Sequence, residues 1–290
     1  MPITYTPMRF PGGKSKIYPL VDEIISENGL EDCVYSEAFC GGAGLAVKLL
    51  IKGRVSKIVL NDADPAIYSI WDSILNHSEE LCDFVNSVKL TIDEWKRQRS
   101  IYTNAKDPSL DLGKAALFLN RTNRSGMLEG GVIGGQSQAG KYKIDARFNR
   151  KNLVQKIEAI SALASKIELH NLDVSDFLVQ VANDFPNQSL LYLDPPYVAK
   201  GPGLYKSSFD SSKHKRLAQE VKEYQGNWLL TYDDDSLIRD LYCPNSAWDI
   251  SVGNIAVGYS AATSRRRANE FLALSPALVM PESISLDTTI

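Results

Sequence analysis

Leu190-Leu-Tyr-Leu-Asp-Pro-Pro-Tyr197 is an apolar, strand-forming run cut short by an acid and two prolines. Pro195 and Pro196 carry no backbone N–H and hold φ fixed. A central strand cannot pass through them, so the chain must leave the sheet in a stiff turn. Asp194 then stands at a strand C-terminus, the end at which open α/β sheets bind ligands, with Tyr197 just beyond it. A carboxylate, a prolyl carbonyl and an aromatic face at one strand end suit a planar base with an exocyclic amine. The amine donates to Asp194 and to the Pro195 carbonyl while Tyr197 stacks on the ring. Asp-Pro-Pro alone describes many solvated turns; directly after a buried strand in an α/β chain it is far more specific.

The flanking sequence supplies the sheet. Val34-Tyr-Ser-Glu-Ala-Phe39 reads as a strand, followed by Cys40-Gly-Gly-Ala-Gly-Leu-Ala46 and a helix to about Ile51. That order lets a ligand approach bare backbone at a helix N-terminus. The glycines depart from G-x-G-x-x-G, which argues against a dinucleotide. Lys57-Ile-Val-Leu60 is the next strand and ends in Asn61-Asp62. Asp62 lies about twenty residues past Gly41, where a nucleoside-binding unit places its ribose acceptor. Lys166 to Asp173 and Asn227 to Tyr232 are further strands, the second running into Asp233-Asp-Asp235. Trp248–Val252 and Glu270–Leu274 read as an antiparallel pair around a loop carrying Tyr259, Arg265, Arg266 and Arg267.

Near the start, Pro11, Gly12 and Gly13 make a turn before a helix with apolar residues at Ile17, Leu20, Val21, Ile24 and Ile25. The triphosphate-binding pattern G-x-x-x-x-G-K-[ST] is absent. Phe10 offers a ring to stack on a base, and Lys14 a charge to pair with a carboxylate. Other helices are expected around Ile67–Ile74, through 78–120, near 153–163 and from about Ser212 to Tyr224. A polar loop from Val198 to Asp210, with Lys200, Tyr205 and Lys206, covers the end of the central strand. The tail after Pro276 is expected to fray.

The 290 residues allow one large α/β domain with an insertion, and 44% hydrophobic with 23% charged residues is ordinary for a globular protein. No apolar run approaches the roughly 18 residues of a membrane helix. The N-terminus lacks a secretory layout, and Cys33, Cys40, Cys82 and Cys243 lack C-x-x-C spacing, which together favour the cytoplasm. His77, His170 and His214 are scattered, against a zinc site.

The net charge of −3 does not suggest a nucleic-acid partner, but charge is unevenly spread. From Lys114 to Lys156 nine basic residues, among them Arg121, Arg124, Lys141, Lys143 and Arg147, face only Glu129 and Asp145, a net +7. Asn120-Arg-Thr-Asn-Arg-Ser-Gly126 opens a stretch with six glycines up to Gly140 and little apolar periodicity. It is too poor in apolar residues for its own core and reads as an inserted loop-rich lobe. Its amides and arginines suit DNA backbone and base edges, and would equally suit a lid over another anion.

Taken together, the chain resembles the Dam-type DNA adenine-N6 methyltransferases. The likeness rests on Arg9-Phe-Pro-Gly-Gly-Lys14, Glu37-Ala-Phe-Cys-Gly-Gly-Ala-Gly44, Asn61-Asp62 and Asp194-Pro-Pro-Tyr197. Asn120-Arg-Thr-Asn-Arg-Ser-Gly126 is similar to that family's recognition element, and Asn269-Glu-Phe-Leu-Ala-Leu274 also fits. Phe10 stands where many members have Trp or Tyr, and Ala38 where Pro is common; neither removes the stacking or the turn. The resemblance implies an α/β, Rossmann-like class I methyltransferase fold. Its sheet has seven mostly parallel strands with a C-terminal antiparallel hairpin, plus a smaller inserted DNA-recognition lobe. The expected boundaries are 1–75 and 160–276 for the catalytic domain, 76–159 for the lobe and 277–290 for a flexible tail.

By the same resemblance, S-adenosyl-L-methionine is the cofactor, held by Phe10, Lys14, Glu37, Phe39, Gly41, Gly42, Asp62 on the ribose, Asp194, and Asp173 on the adenine amine, with Asp176 as a competitor. Asp194, Pro195, Pro196 and Tyr197 would hold a flipped-out adenine. Asn120, Arg121, Asn123, Arg124, Lys141, Lys143, Arg147, Arg265, Arg266 and Arg267 would hold DNA. Double-stranded DNA is the expected partner, with a cognate restriction endonuclease as a second candidate and a monomer or weak dimer as the working form. Two alternatives stand beside this reading: the same chemistry on cytosine N4 or RNA adenine, and a DNA-binding protein that has kept the fold without catalysis. Asp rather than Ser at position 194 favours adenine over cytosine.

Overall fold

The computed structural model describes residues 5–10, 14–182, 188–198, 209–243, 250–259, 266–282 and 285–286, with backbone only at 256–259, 266–268 and 285–286. The expected turn at Pro11, Gly12 and Gly13, the loop residues Lys200, Tyr205 and Lys206, the strand start at Trp248, and Arg265 lie outside the described residues.

Eight strands form one sheet: β1 (Val34–Glu37), β2 (Lys57–Asn61), β3 (Ile167–His170), β4 (Ser189–Leu193), β5 (Trp228–Asp233), β6 (Ser251–Tyr259), β7 (Arg266–Leu274) and β8 (Ser285–Leu286). Their order is β3-β2-β1-β4-β5-β7-β6-β8. The first five run parallel, and β7, β6 and β8 join antiparallel. The chain moves outward from β1 through β2 to β3, then returns to the other side of β1 with β4. This reversal opens a crevice at the strand C-termini between β1 and β4.

Among the described residues, ten α-helices accompany the sheet: α1 (Tyr18–Glu27), α2 (Gly44–Ile51), α3 (Pro65–Asn76), α4 (Ser78–Ser87), α5 (Ile92–Asn104), α6 (Leu110–Thr122), α7 (Arg150–Ser161), α8 (Val174–Gln180), α9 (Ser211–Glu223) and α10 (Ser236–Tyr242). Local sequence explains their starts. Asp64 accepts from the Ala66 amide ahead of Pro65, Thr91 from Glu94, and Ser109 from Leu112. Each satisfies an amide that the first helical turn leaves open. Gly113 lets α6 approach α3 closely, since a Cβ there would stand 2.3 Å from the Ser69 carbonyl oxygen. Among the described residues, no helix is long and apolar enough to cross a membrane.

Both sheet faces are covered, which is why β1, β2, β4 and β5 are buried along nearly their whole length, with unbroken apolar runs at Ile58–Leu60, Leu190–Leu193 and Trp228–Leu230. Side chains alternate along each strand. Leu190 and Tyr192 enter one core with Ile24, Leu49, Trp71 and Phe118. Leu191 and Leu193 enter the other with Phe177, Val221, Trp228 and Phe271.

Three expectations need correction. Tyr259, Arg266 and Arg267 do not sit in a loop: β6 and β7 extend to pair Tyr259 with Arg266 and Gly258 with Arg267, so the hairpin is longer than its apolar segments suggested. The described residues after Pro276 are tethered rather than frayed. Leu278 is buried, the Asn28 side chain binds both the Val279 amide (2.7 Å) and carbonyl (3.1 Å), and β8 adds a two-residue edge to the seven expected strands. Finally, Asp173 and Asp235 are helix caps: each accepts an amide of its own following turn, at Ser175 (3.1 Å) and Leu237 (2.9 Å), starting α8 and α10 where no helix had been expected.

Candidate active site

Three neighbouring strands end together. Glu37 of β1 lies opposite Tyr192 of β4 and Leu60 of β2. Asp194 and Asp62 each lie two residues beyond those partners, so three acids line adjoining strand ends about 4.8 Å apart per strand. Asn61 braces this edge from inside. Its amide donates to the carbonyls of Ala38 (3.0 Å) and Leu172 (3.1 Å) and accepts from the Leu172 N–H (3.0 Å).

The glycine turn between β1 and α2 is held on both sides. The Gly41 amide donates to Asp62 Oδ2 (2.9 Å), and its carbonyl accepts the indole N–H of fully buried Trp71 (2.9 Å). Phe10 packs on this turn. Gly41 has φ +46°, and a Cβ there would stand 2.9 Å from Phe10 Cζ, so only glycine fits both the conformation and the contact. Phe10 is placed by its neighbour: the Arg9 amide donates to Asn120 Oδ1 (2.7 Å), and the Asn120 amide donates to the Arg9 carbonyl (2.7 Å).

The two acids of the turn are under electrostatic load. Burial pushes Glu37 up to about 8, against the Ala46 amide (3.1 Å) that favours its charge. Burial also pushes Asp62 up to about 7, although each of its oxygens accepts a backbone N–H, from Asp64 and from Gly41.

Across the crevice, Asp194 heads a connected set. Lys14 Nζ lies 3.1 Å from Asp194 Oδ1 and donates to Glu270 Oε2 (2.8 Å) and to the Tyr197 hydroxyl. The Tyr197 hydroxyl donates in turn to Glu270 Oε1 (2.7 Å). Thr231 donates to Asp194 Oδ1 (3.1 Å) and shares a 2.7 Å hydrogen bond with the Tyr192 hydroxyl. Burial raises Asp194 to about 6 despite the Lys14 charge. Burial alone would lower Lys14, but the carboxylates of Asp194 and Glu270 outweigh it and leave its pKa raised. Phe39 stands edge-on to Phe209 nearby, with centroids 6.0 Å apart.

Residues 10–251 match the D12 class of N6 adenine-specific DNA methyltransferases. The chain belongs to that family. The enzyme therefore methylates adenine N6 in DNA, with S-adenosyl-L-methionine as donor. No protein with a curated description matches its sequence. Solved structures similar to it include the rRNA methyltransferase aviRa from Streptomyces viridochromogenes, at 12% identity over 92% of this chain and 86% of that one, TM-score 0.41. Another is an SAM-dependent methyltransferase from Agrobacterium tumefaciens, at 10% identity over 90% and 62%, TM-score 0.40.

The donor set fits this cofactor. The Asp62 oxygens each retain a lone pair for a hydroxyl, matching a ribose diol. Glu37 is a buried carboxyl whose ionised form gains from a cation beside it, and the donor carries cationic sulfur and nitrogen.

The other sequence-predicted residues divide. Lys14 is buried and pairs with the carboxylates of Asp194 and Glu270. Pro195 and Pro196 are buried beneath the corner, and Gly42 lies under Phe10. Asp173 is exposed and engaged as a cap, and Asp176 is exposed on α8. Asn120 and Asn123 were expected at DNA and are instead interior struts. Asn123 is fully buried: it accepts the Trp95 indole N–H (2.7 Å) and donates to the carbonyls of Met127 and Leu128 (both 2.9 Å). Asn120 joins Arg9 to the Gly126 carbonyl (2.9 Å). Both amides are spent inside the fold, on carbonyls of the loop that follows α6. Arg121 binds the carbonyls of Pro7 and Arg147. Arg124, Lys141, Lys143 and Arg147 are exposed. Burial and the charges of Arg9 and Arg147 pull Arg121 down to about 10, the mark of a basic cluster short of acids. The side chains of Arg266 and Arg267 are not described.

Sequence reasoning missed Glu270, Thr231 and Tyr192 as members of the site. A signal existed for Glu270: it is an acid at the head of the apolar strand Phe271-Leu-Ala-Leu274. An acid entering a buried strand needs a cation or a function.

Proposed function

We propose that the enzyme receives an adenine turned out of duplex DNA at the Asp194-Pro-Pro-Tyr197 corner. The adenine amine donates to the Asp194 carboxylate and the Pro195 carbonyl, and the Tyr197 ring lies against the base. Phe10, Glu37, Gly41, Gly42 and Asp62 hold the donor, with Asp62 on the ribose hydroxyls. The donor, when bound, supplies a methyl group on a positively charged sulfur that an amine lone pair can displace. Asp194 and Pro195, by accepting both amine hydrogens, draw the nitrogen toward a pyramidal shape and aim its lone pair. As the N–C bond forms and the C–S electrons stay with sulfur, positive charge builds on the amine, and Asp194 stabilises it. Asp194 then accepts the departing proton and passes it to water. Alignment of amine and methyl by the walls of the crevice, to within about 3–3.5 Å, would supply much of the remaining rate.

Support for this reading comes from one observation above the rest: Asp194, Glu37 and Asp62 end adjoining parallel strands on the two sides of the β1–β4 reversal. In this reading, 76–159 forms the recognition lobe on a catalytic domain made of 1–75 and 160–276. Arg124, Lys141, Lys143 and Arg147, with Arg265, Arg266 and Arg267, face the phosphates. The working form is a monomer or weak dimer in the cytoplasm, and a cognate endonuclease remains its candidate partner. Incorporation of labelled methyl into duplex DNA, followed by nucleoside analysis, tests the reading. N6-methyl-2′-deoxyadenosine from the wild type and none from Asp194→Ala is the expected result. Methylated cytosine, or an active Asp194→Ala, would overturn it.

A further inference from the structure

We infer that Glu270 is a positioning residue for methyl transfer: it retains the Lys14 ammonium and the Tyr197 hydroxyl, leaving Asp194 an open acceptor and the pocket a net negative charge. The inference rests on the proposed role of Asp194.

A carboxylate 1% exposed in the middle of a core edge needs an explanation. Burying one costs stability unless its partners are close, and an apolar replacement is often at least as stable. Glu270 has two partners, both in the site. Its Oε2 holds Lys14 Nζ at 2.8 Å, closer than the 3.1 Å from Lys14 to Asp194, and its Oε1 holds the Tyr197 hydroxyl at 2.7 Å. Pairing with Asp233 across β5 and β7 brings it to the same strand edge as Asp194.

Charge and geometry then agree. Lys14 and Asp194 alone would form a neutral pair, with the ammonium covering Oδ1, the oxygen that Thr231 also uses. An incoming amine would compete with a full cation for that oxygen, and a nitrogen becoming positive would meet Lys14 unopposed. Glu270 changes both. It gives the ammonium a better seat, and two carboxylates around one ammonium leave one negative charge for the reacting nitrogen. Its second oxygen fixes the Tyr197 hydroxyl and so the plane of the ring that meets the base.

The groups facing Asp194 are Lys14, Glu270, the Thr231 hydroxyl, the phenols of Tyr35, Tyr192, Tyr197 and Tyr232, and Glu37 on β1. Glu270 is among the charges that raise Asp194. Removing it lowers Asp194, so the acid limb of kcat/KM moves to lower pH. A purely structural role for Glu270 would not move that limb.

The test uses Glu270→Gln and Glu270→Asp on duplex DNA at saturating donor, with thermal melts alongside. Glu270→Gln is expected to lose about 10²-fold in kcat, the scale of a small misplacement. The KM for donor should change little, and the acid limb should move downward. Glu270→Asp should recover most of the rate and return the limb toward the wild type. A Gln variant with wild-type kcat and limb overturns the inference, as does an Asp variant that folds yet falls as far as Gln. Should Glu270→Gln fail to fold, the pair Lys14→Gln and Lys14→Gln/Glu270→Gln decides. With no ammonium to hold, Glu270 keeps only its bond to the Tyr197 hydroxyl, so adding Glu270→Gln to Lys14→Gln should cost well under 10²-fold in kcat, and a further loss of 10²-fold or more overturns the inference. A wild type that forms no N6-methyl-2′-deoxyadenosine sinks the reading of Asp194 instead. An active wild type with an unaffected Gln variant sinks only the role of Glu270.

Discussion

Asp194→Asn keeps the shape of the side chain and removes its charge, and its effects on rate and on stability carry opposite signs. The carboxyl is held near Lys14 and Thr231 (both 3.1 Å), its side chain 22% exposed, and burial raises it from 3.8 to about 6. A rise of about two units means that ionising Asp194 costs the folded state about 3 kcal/mol relative to the unfolded chain. Below about pH 4 both states are protonated and the cost is absent. It grows as pH rises toward 6 and is complete above it. Asparagine carries no such cost, and Lys14 keeps Glu270 as its partner. The variant should therefore melt higher than the wild type at pH 8, by up to about 5 °C for a chain of this size. That advantage should shrink between pH 6 and pH 4. Its methylation rate should fall about 10²–10³-fold, as when a group aimed at developing charge is lost, while donor affinity is retained. Melting curves from pH 4 to 8, with single-turnover methylation, read both effects. A variant that melts lower at pH 8, or one that methylates normally, would refute the reasoning.

Asn123→Ala should destabilise the fold by about 3 kcal/mol, because the buried Trp95 indole N–H loses its acceptor and the Met127 and Leu128 carbonyls each lose one donor. Denaturant unfolding measures this, and weakened DNA binding at unchanged stability would return Asn123 to the surface role. Arg124→Gln with Arg147→Gln should weaken DNA binding evenly across sequences and lower its salt slope by about one per lost phosphate contact. An unchanged slope would move the DNA surface elsewhere. Donor binding should release protons near pH 7–8, since Asp62 stands at about 7 and Glu37 at about 8 and both are better partners when ionised. Calorimetry in buffers of different ionisation heat would show this, and uptake of protons would contradict it.

The parallel half of the sheet was legible because strands covered on both faces carry unbroken apolar runs, as Leu190–Leu193 and Lys57-Ile-Val-Leu60 do. The hairpin was read too short. Tyr259, Arg266 and Arg267 are polar or charged and look like loop, but ladder hydrogen bonds extend beyond the buried segment. Asp194, Glu37 and Asp62 announced themselves as acids directly after strands. Glu270 and Thr231 did not, because their importance lies in partners far away in sequence, Glu270 meeting Lys14 across 256 residues and Thr231 meeting Asp194, which no local pattern records. Asn120 and Asn123 misled for the opposite reason: an amide is polar in sequence whether it meets water or, as here, the carbonyls of a folded turn.

The Lys14–Glu270 contact joins residue 14 to β7, the last long strand of the sheet. A ribosome must therefore release the chain through residue 270 before the pocket can close, and β7 must seat before the ammonium gains its second carboxylate. Fragments ending before position 270 leave that ammonium to Asp194. The newborn chain is thus without its full pocket until β7 has emerged.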